Sequence, residues 1–196
     1  MILEQGISGS VTWEYFDNGE LVFRPVNDIQ GTLDDVPVLK RQWNEIKADL
    51  IRFEKGVKAN NGLSYMFYKS QAKVIDLSNL DTSDTTIMRY MFSNTSAKLL
   101  NLSSLNTSNV TNMNCMFYKS SEPLLDLSGF DTSNVTTMEY MFCESKITSL
   151  DLSNFTIHPN LVAHDMFAET NLQELILQNN EQKELLISKS GLKVGK

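Results

Sequence analysis

The stretch Leu125-Asp126-Leu127-Ser128, followed by Asp131-Thr132-Ser133-Asn134-Val135-Thr136-Thr137-Met138-Glu139-Tyr140-Met141-Phe142, decides the architecture because it recurs. Its Met-Phe ending stands at Met66-Phe67, Met91-Phe92, Met116-Phe117, Met141-Phe142 and Met166-Phe167, each pair 25 residues after the one before. Met88, Met113 and Met138 form a second column, three residues ahead of three of those pairs. A third column holds Ile75/Leu77, Leu100/Leu102, Leu125/Leu127, Leu150/Leu152 and Leu175/Leu177. Self-similarity at a fixed period means a solenoid, a propeller or an array. A propeller blade needs about 40 residues or more, whereas a leucine-rich-repeat coil needs about 20–29. The period selects the solenoid.

Each coil has an internal grammar. Ile75-Asp76-Leu77 and its equivalents alternate apolar and polar, the mark of a short strand with one buried face. Asp81-Thr82-Ser83-Asp84, Asn106-Thr107-Ser108-Asn109 and Asp131-Thr132-Ser133-Asn134 follow, and such short polar side chains bond their own backbone in turns. Met88/Met91/Phe92, Met113/Met116/Phe117 and Met138/Met141/Phe142 then stand at i, i+3 and i+4, which predicts a short helix. Thr111 and Thr136 are expected to cap it. A single coil cannot bury its own Met, Phe and Leu, so stability must come from stacking.

The expected fold is therefore α/β: a leucine-rich-repeat-like right-handed solenoid with short parallel strands and short helices. It occupies residues 51–178 in about five coils. A small α+β N-terminal cap over residues 1–50 precedes it. There Val11, Trp13 and Tyr15 alternate along one strand, Asp17-Asn18-Gly19 turns, and Leu21-Val22-Phe23 returns. Pro37 then opens a predicted helix whose face is Leu39, Trp43, Ile46 and Leu50. Ile51 and Phe53 read as the first solenoid strand. Residues 179–196 form a C-terminal cap or tail.

Composition narrows the function. The 196 residues are 41% hydrophobic and 21% charged, too apolar for disorder. A net charge of −7 with no Lys/Arg cluster argues against a nucleic-acid partner. No run approaches the roughly 18 apolar residues of a membrane span, and Met1 opens no basic-then-apolar leader. Cys115 and Cys143 lie outside any CxxC and have no His beside them, so they read as packing thiols. His158 and His164 are six apart, the wrong spacing for a helical zinc pair. Columns of equivalents do not make the convergent, asymmetric set of titratable groups an enzyme needs. No catalytic residue, metal or cofactor is expected.

The outward side chains of the strands are the candidate site. Asp76, Asn101, Asp126 and Asp151 form one column, with Asn101 interrupting a ladder of like charges. Val74, Leu99 and Leu124, followed by Ser149, form another beside it. Exposed apolar residues flanking an acidic stripe suit the docking of a partner protein. The plain alternatives are cross-strand packing or coverage by the N-terminal cap. Calcium is disfavoured, because the Gly-rich pattern of calcium-binding β-helices is missing.

These residues resemble a known family. Asp131 to Phe142 after Leu125-Ser128, Asn106 to Phe117 and Asp81 to Phe92 are similar to the repeat of BspA-like leucine-rich-repeat surface proteins of bacteria. The Trp13 hairpin and Glu54-Lys55-Gly56-Val57-Lys58 resemble that family's N-terminal region. The likeness runs from about residue 8 to 178. It implies a secreted or cell-surface adhesin contacting a host, matrix or cell-surface protein, without a cofactor, and it transfers no site residues. A structural stalk and a glycan-binding module are the alternatives. Ser70, Ser120 and Ser145 stand where family repeats often carry Cys, and no C-terminal wall anchor is visible.

Overall fold

The computed structural model describes residues 1–34, 42–122 and 124–192. Three N-terminal strands, β1 (Ile2–Ser8), β2 (Val11–Phe16) and β3 (Glu20–Pro25), form an antiparallel meander. The expected hairpin is β2–β3, with Gly19 at φ 84° in its turn. β1 was not foreseen, since Ile2-Leu3 is followed by two glycines rather than by alternation. The meander is continuous with the solenoid. β3 pairs in parallel with β5 (Leu50–Phe53), β5 with β7 (Val74–Asp76), and β7 with β8 (Leu99–Asn101). Short strands β4 (Gly31–Thr32) and β6 (Val57–Lys58) pair beside this sheet. The solenoid side closes with β9 (Ser149–Asp151) and β10 (Glu174–Ile176), a separate parallel pair.

The predicted helices around the Met-Phe pairs are absent. Three successive tight turns stand in their place. In the second coil the amides of Met88, Tyr90, Phe92 and Asn94 donate to the carbonyls of Asn112, Asn114, Met116 and Tyr118 in the third coil, at 2.7–2.9 Å. The alternate amides of Met91, Ser93 and Thr95 donate three residues back, to Met88, Tyr90 and Phe92, at 3.1–3.3 Å. An α-helix would instead direct each amide four residues back. Tyr90 and Asn94 sit at φ 57°, and their equivalents Tyr65, Lys69, Cys115, Lys119, Tyr140, Glu144, Asp165 and Glu169 lie between 52° and 61°. A helix admits no such residue. The i, i+3, i+4 spacing thus serves three linked turns whose Met and Phe side chains are buried.

Thr111 and Thr136 are accordingly no helix caps. Their amides and hydroxyls donate to the previous coil: Thr111 to the Thr86 carbonyl at 2.8 and 3.3 Å, Thr136 to the Thr111 carbonyl at 2.9 and 3.1 Å. The Asx/Thr/Ser turns form as expected, with Ser83, Ser108 and Ser133 amides on Asp81, Asn106 and Asp131 at 2.9–3.1 Å. Buried Thr82 and Thr107 add hydroxyl bonds to the next coil, donating to the Asn106 and Asp131 carbonyls and accepting from the same residues' amides.

In the cap, Gln42–Glu45 is a 3-10 turn, and Leu50 belongs to β5 instead of a helix. Pro37 and Leu39 lie outside the described residues. Trp43 and Ile46 are nonetheless buried, and Trp43 packs edge-on against Phe23 at 5.3 Å. The C-terminal segment is a helix, α1 (Asn180–Ser190), capped by Asn179 and ended by Gly191 at φ 65°. It docks through buried Leu186, and its Gln182 accepts the Ile157 amide at 2.9 Å.

One cluster of buried residues runs the length of the molecule. Phe67, Phe92, Phe117, Phe142 and Phe167 stack at 5.5–5.8 Å with planes within 11° of parallel. Replacing Phe117 by Ala opens a gap in the middle of this row. It should cost about 3–5 kcal/mol in urea unfolding, whereas Leu99→Ala on the exposed face should cost less than about 0.5 kcal/mol.

Candidate binding surface on the sheet

β7 and β8 pair in register, Val74 against Leu99 and Asp76 against Asn101. Across these two coils the outward residues line up in columns. Leu99 and Leu124 are 55% and 69% exposed, while Val74 is half-buried. The N-terminal meander extends the sheet edge-on and leaves both leucines uncovered. Towards the meander the same face is charged. Arg24 reaches Glu14 and Glu54 at 3.4 Å, and Arg52 reaches Glu20 and Glu54 at 3.3 and 3.6 Å. The leucines thus lie beyond an ion-pair network of two arginines and three glutamates.

The polar column has a structural task that its spacing concealed. Asp76 accepts the Ser78 amide at 3.0 Å, and Asn101 accepts the Ser103 hydroxyl at 2.8 Å. Asp126 accepts the Ser128 hydroxyl and amide at 2.6 and 3.0 Å, and Asp151 the Ser153 amide at 2.9 Å. Each closes the turn leaving its strand. Asn101 also donates to Asp76 at 2.8 Å, so the interruption in the acidic ladder becomes a bond between coils. Hydrogen bonds from Ser128 and Ser153 hold the Asp126 and Asp151 carboxyls below their ordinary value. Both aspartates flank a depression of about 150 Å³ that Leu125 and Asn154 also line.

The other chemical candidates are accounted for separately. Cys115 and Cys143 are free, buried thiols, and burial pushes both pKa values up. The ring of His158 meets the Ser133 carbonyl at 2.7 Å, and His164 is exposed on another wall. Among the described residues, no three His, Cys, Asp or Glu side chains group as metal ligands, and no helix is long and apolar enough to cross a membrane.

The geometry is that of a leucine-rich-repeat-like solenoid, and comparison with solved structures agrees. A leucine-rich repeat protein from Eubacterium ventriosum superposes with a TM-score of 0.61 at 14% identity, over 91% of this chain and 44% of that one. At that identity the likeness is one of fold, and this chain spans less than half the length of that protein. No curated protein matches. A family model described as Mycoplasma protein of unknown function, DUF285, matches residues 61–179, and the chain belongs to that family.

Behind the exposed leucines lies a defect. Residues 124–126 form no strand, although Leu125-Asp126-Leu127 was expected to be one, and the sheet is split there. In the first coils the amide of Lys98 donates to the Lys73 carbonyl at 2.9 Å. The equivalent position 123 is proline, which has no amide hydrogen to give. Glu122 beside it occupies the interior column of Ala72, Ala97 and Ile147, and all four are buried. One of its carboxylate oxygens accepts the Leu124 amide at 3.4 Å, and the other has no partner among the described residues. Burial pushes this carboxyl above its ordinary value. The sign follows from linkage. The penalty is absent below the unfolded-state pKa, grows as pH rises towards the higher native one, and stays constant above it. Glu122→Ala, the residue of the two preceding coils, should raise stability by about 1–3 kcal/mol at neutral pH. That gain over wild type should shrink as urea melts are repeated towards acid pH.

Proposed function

We propose that the protein is a non-enzymatic binding module of a bacterial surface or secreted protein that contacts a host, matrix or cell-surface protein through the sheet face. One observation carries this reading: Leu99 and Leu124, at equivalent positions of successive coils, stand largely exposed, and Asp126 and Asp151 are exposed in the column beside theirs. Exposed apolar side chains held on a rigid sheet lose little entropy when a partner covers them. The adjacent carboxylates would favour a partner carrying basic residues around an apolar centre. The surface location rests on the likeness of the repeats to BspA-like proteins.

The test uses purified extracellular-matrix proteins immobilised as a panel. At least one should bind the wild-type chain, and Leu99→Lys with Leu124→Lys should weaken that binding at least tenfold, about 1.4 kcal/mol. Because both positions are exposed, the variant should melt with the wild type. Binding to no member of the panel, or undiminished binding by the variant, counts against this face.

A further inference from the structure

The wall built by the linked turns carries a pattern of charge that the sheet face lacks. Its positions run in columns, one residue per coil, and three of these columns are at least partly exposed at every residue but buried Cys115. Ser64, Arg89, Asn114, Glu139 and His164 form one, Tyr65, Tyr90, Cys115, Tyr140 and Asp165 the next, and Lys69, Asn94, Lys119, Glu144 and Glu169 a third. Charge sorts along the axis: Lys69 and Arg89 in the first two coils, Asp165 and Glu169 in the fifth. All four side chains are exposed. In the middle, Lys119 is already neutralised by Glu144 at 3.0 Å. Among the described residues, Lys69 and Arg89 face only rings, at 5.2 Å from Tyr68 and 5.3 Å from Tyr90. Those rings are stiff, since Tyr65 stacks on Tyr90 at 4.6 Å and meets Tyr68 edge-on at 5.5 Å.

The two charged ends cannot reach each other within one molecule. Three to four coil steps of about 4.8 Å separate them by about 14–20 Å, beyond the roughly 8 Å screening length at physiological salt. A surface positive at one end and negative at the other is, however, complementary to its own copy turned end for end. We propose that this wall pairs with the same wall of a second copy, antiparallel, about a two-fold axis through the third coil. Lys69 of each copy then faces Asp165 and Glu169 of the other, and Arg89 faces the other's fourth coil, where Glu139 stands. Such an interface is isologous and closes at two. A strip about 20 Å long covers less than the roughly 800 Å² per partner of a standard interface, so the dimer is weak and sensitive to salt.

Sedimentation velocity at submillimolar concentration tests it. The wild-type chain should associate at about 20 mM salt and dissociate at about 500 mM. Lys69→Glu/Arg89→Glu and Asp165→Lys/Glu169→Lys should each be monomeric alone, because each makes both ends alike. Mixed in equal amounts they should form a heterodimer, which general loss of folding does not explain. A wild-type chain monomeric at low salt overturns the proposal, as does failure of the mixture to associate. Retention of a monomeric wild type on a sulfated-polysaccharide column through Lys69 and Arg89 would reassign the patch to a foreign polyanion.

Discussion

Every feature of this molecule depends on how successive coils share backbone hydrogen bonds. On the turn wall, alternate amides serve two masters. One set closes turns within a coil, and the set between them reaches forward to the next coil. Each bond is worth only about 0.5–1.5 kcal/mol net, but together they leave few amides unpaired along a wall that has no strand and no helix. Side-chain columns follow from this pairing. Once Phe92 is bonded to Met116, Phe117 has nowhere to lie except over the ring of Phe92.

Hydroxyl side chains do the same work where the backbone turns away. Thr82 and Thr107 are buried because their Oγ1 atoms both give and accept across coils. The outer turns have the opposite economy, with Asp81, Asn106 and Asp131 bonding locally and facing water. A composition rich in Asp, Asn, Ser and Thr therefore belongs to the scaffold rather than to a ligand site. Asp76, Asp126 and Asp151 likewise bond the turns that follow them, and Asp76 also accepts from Asn101 of the next coil.

The periodic part of the fold was legible in the sequence because the coil repeats in register, so Phe and Leu columns could be read off by counting. The turn wall was not. Its left-handed residues are Tyr, Lys, Asn, Cys, Glu and Asp rather than glycine, so the usual marker of positive φ is missing. The remaining signal, apolar residues at i, i+3 and i+4, fits a helix equally well. Of the candidate surface, the outward columns followed from strand period alone. The turn-closing role of the aspartates depends on the serine two residues on, a signal present in Asp126-Leu127-Ser128 but read there as strand. The interruption at residues 124–126 had a signal too, since Glu122 breaks an apolar column and a proline follows it in the sequence.

Register between coils is 25 residues from Val74 to Leu99 and again from Ser149 to Glu174, but 24 from Leu50 to Val74. The odd step falls where the meander joins the first full coil. Within the array, losing one residue would rotate every later side chain out of its row, whereas losing or gaining a whole coil would leave the rows continuous. Length in such a chain is quantised. A gene encoding it can lengthen or shorten its product by unequal exchange between copies of the repeat, with the outward faces growing or shrinking in step.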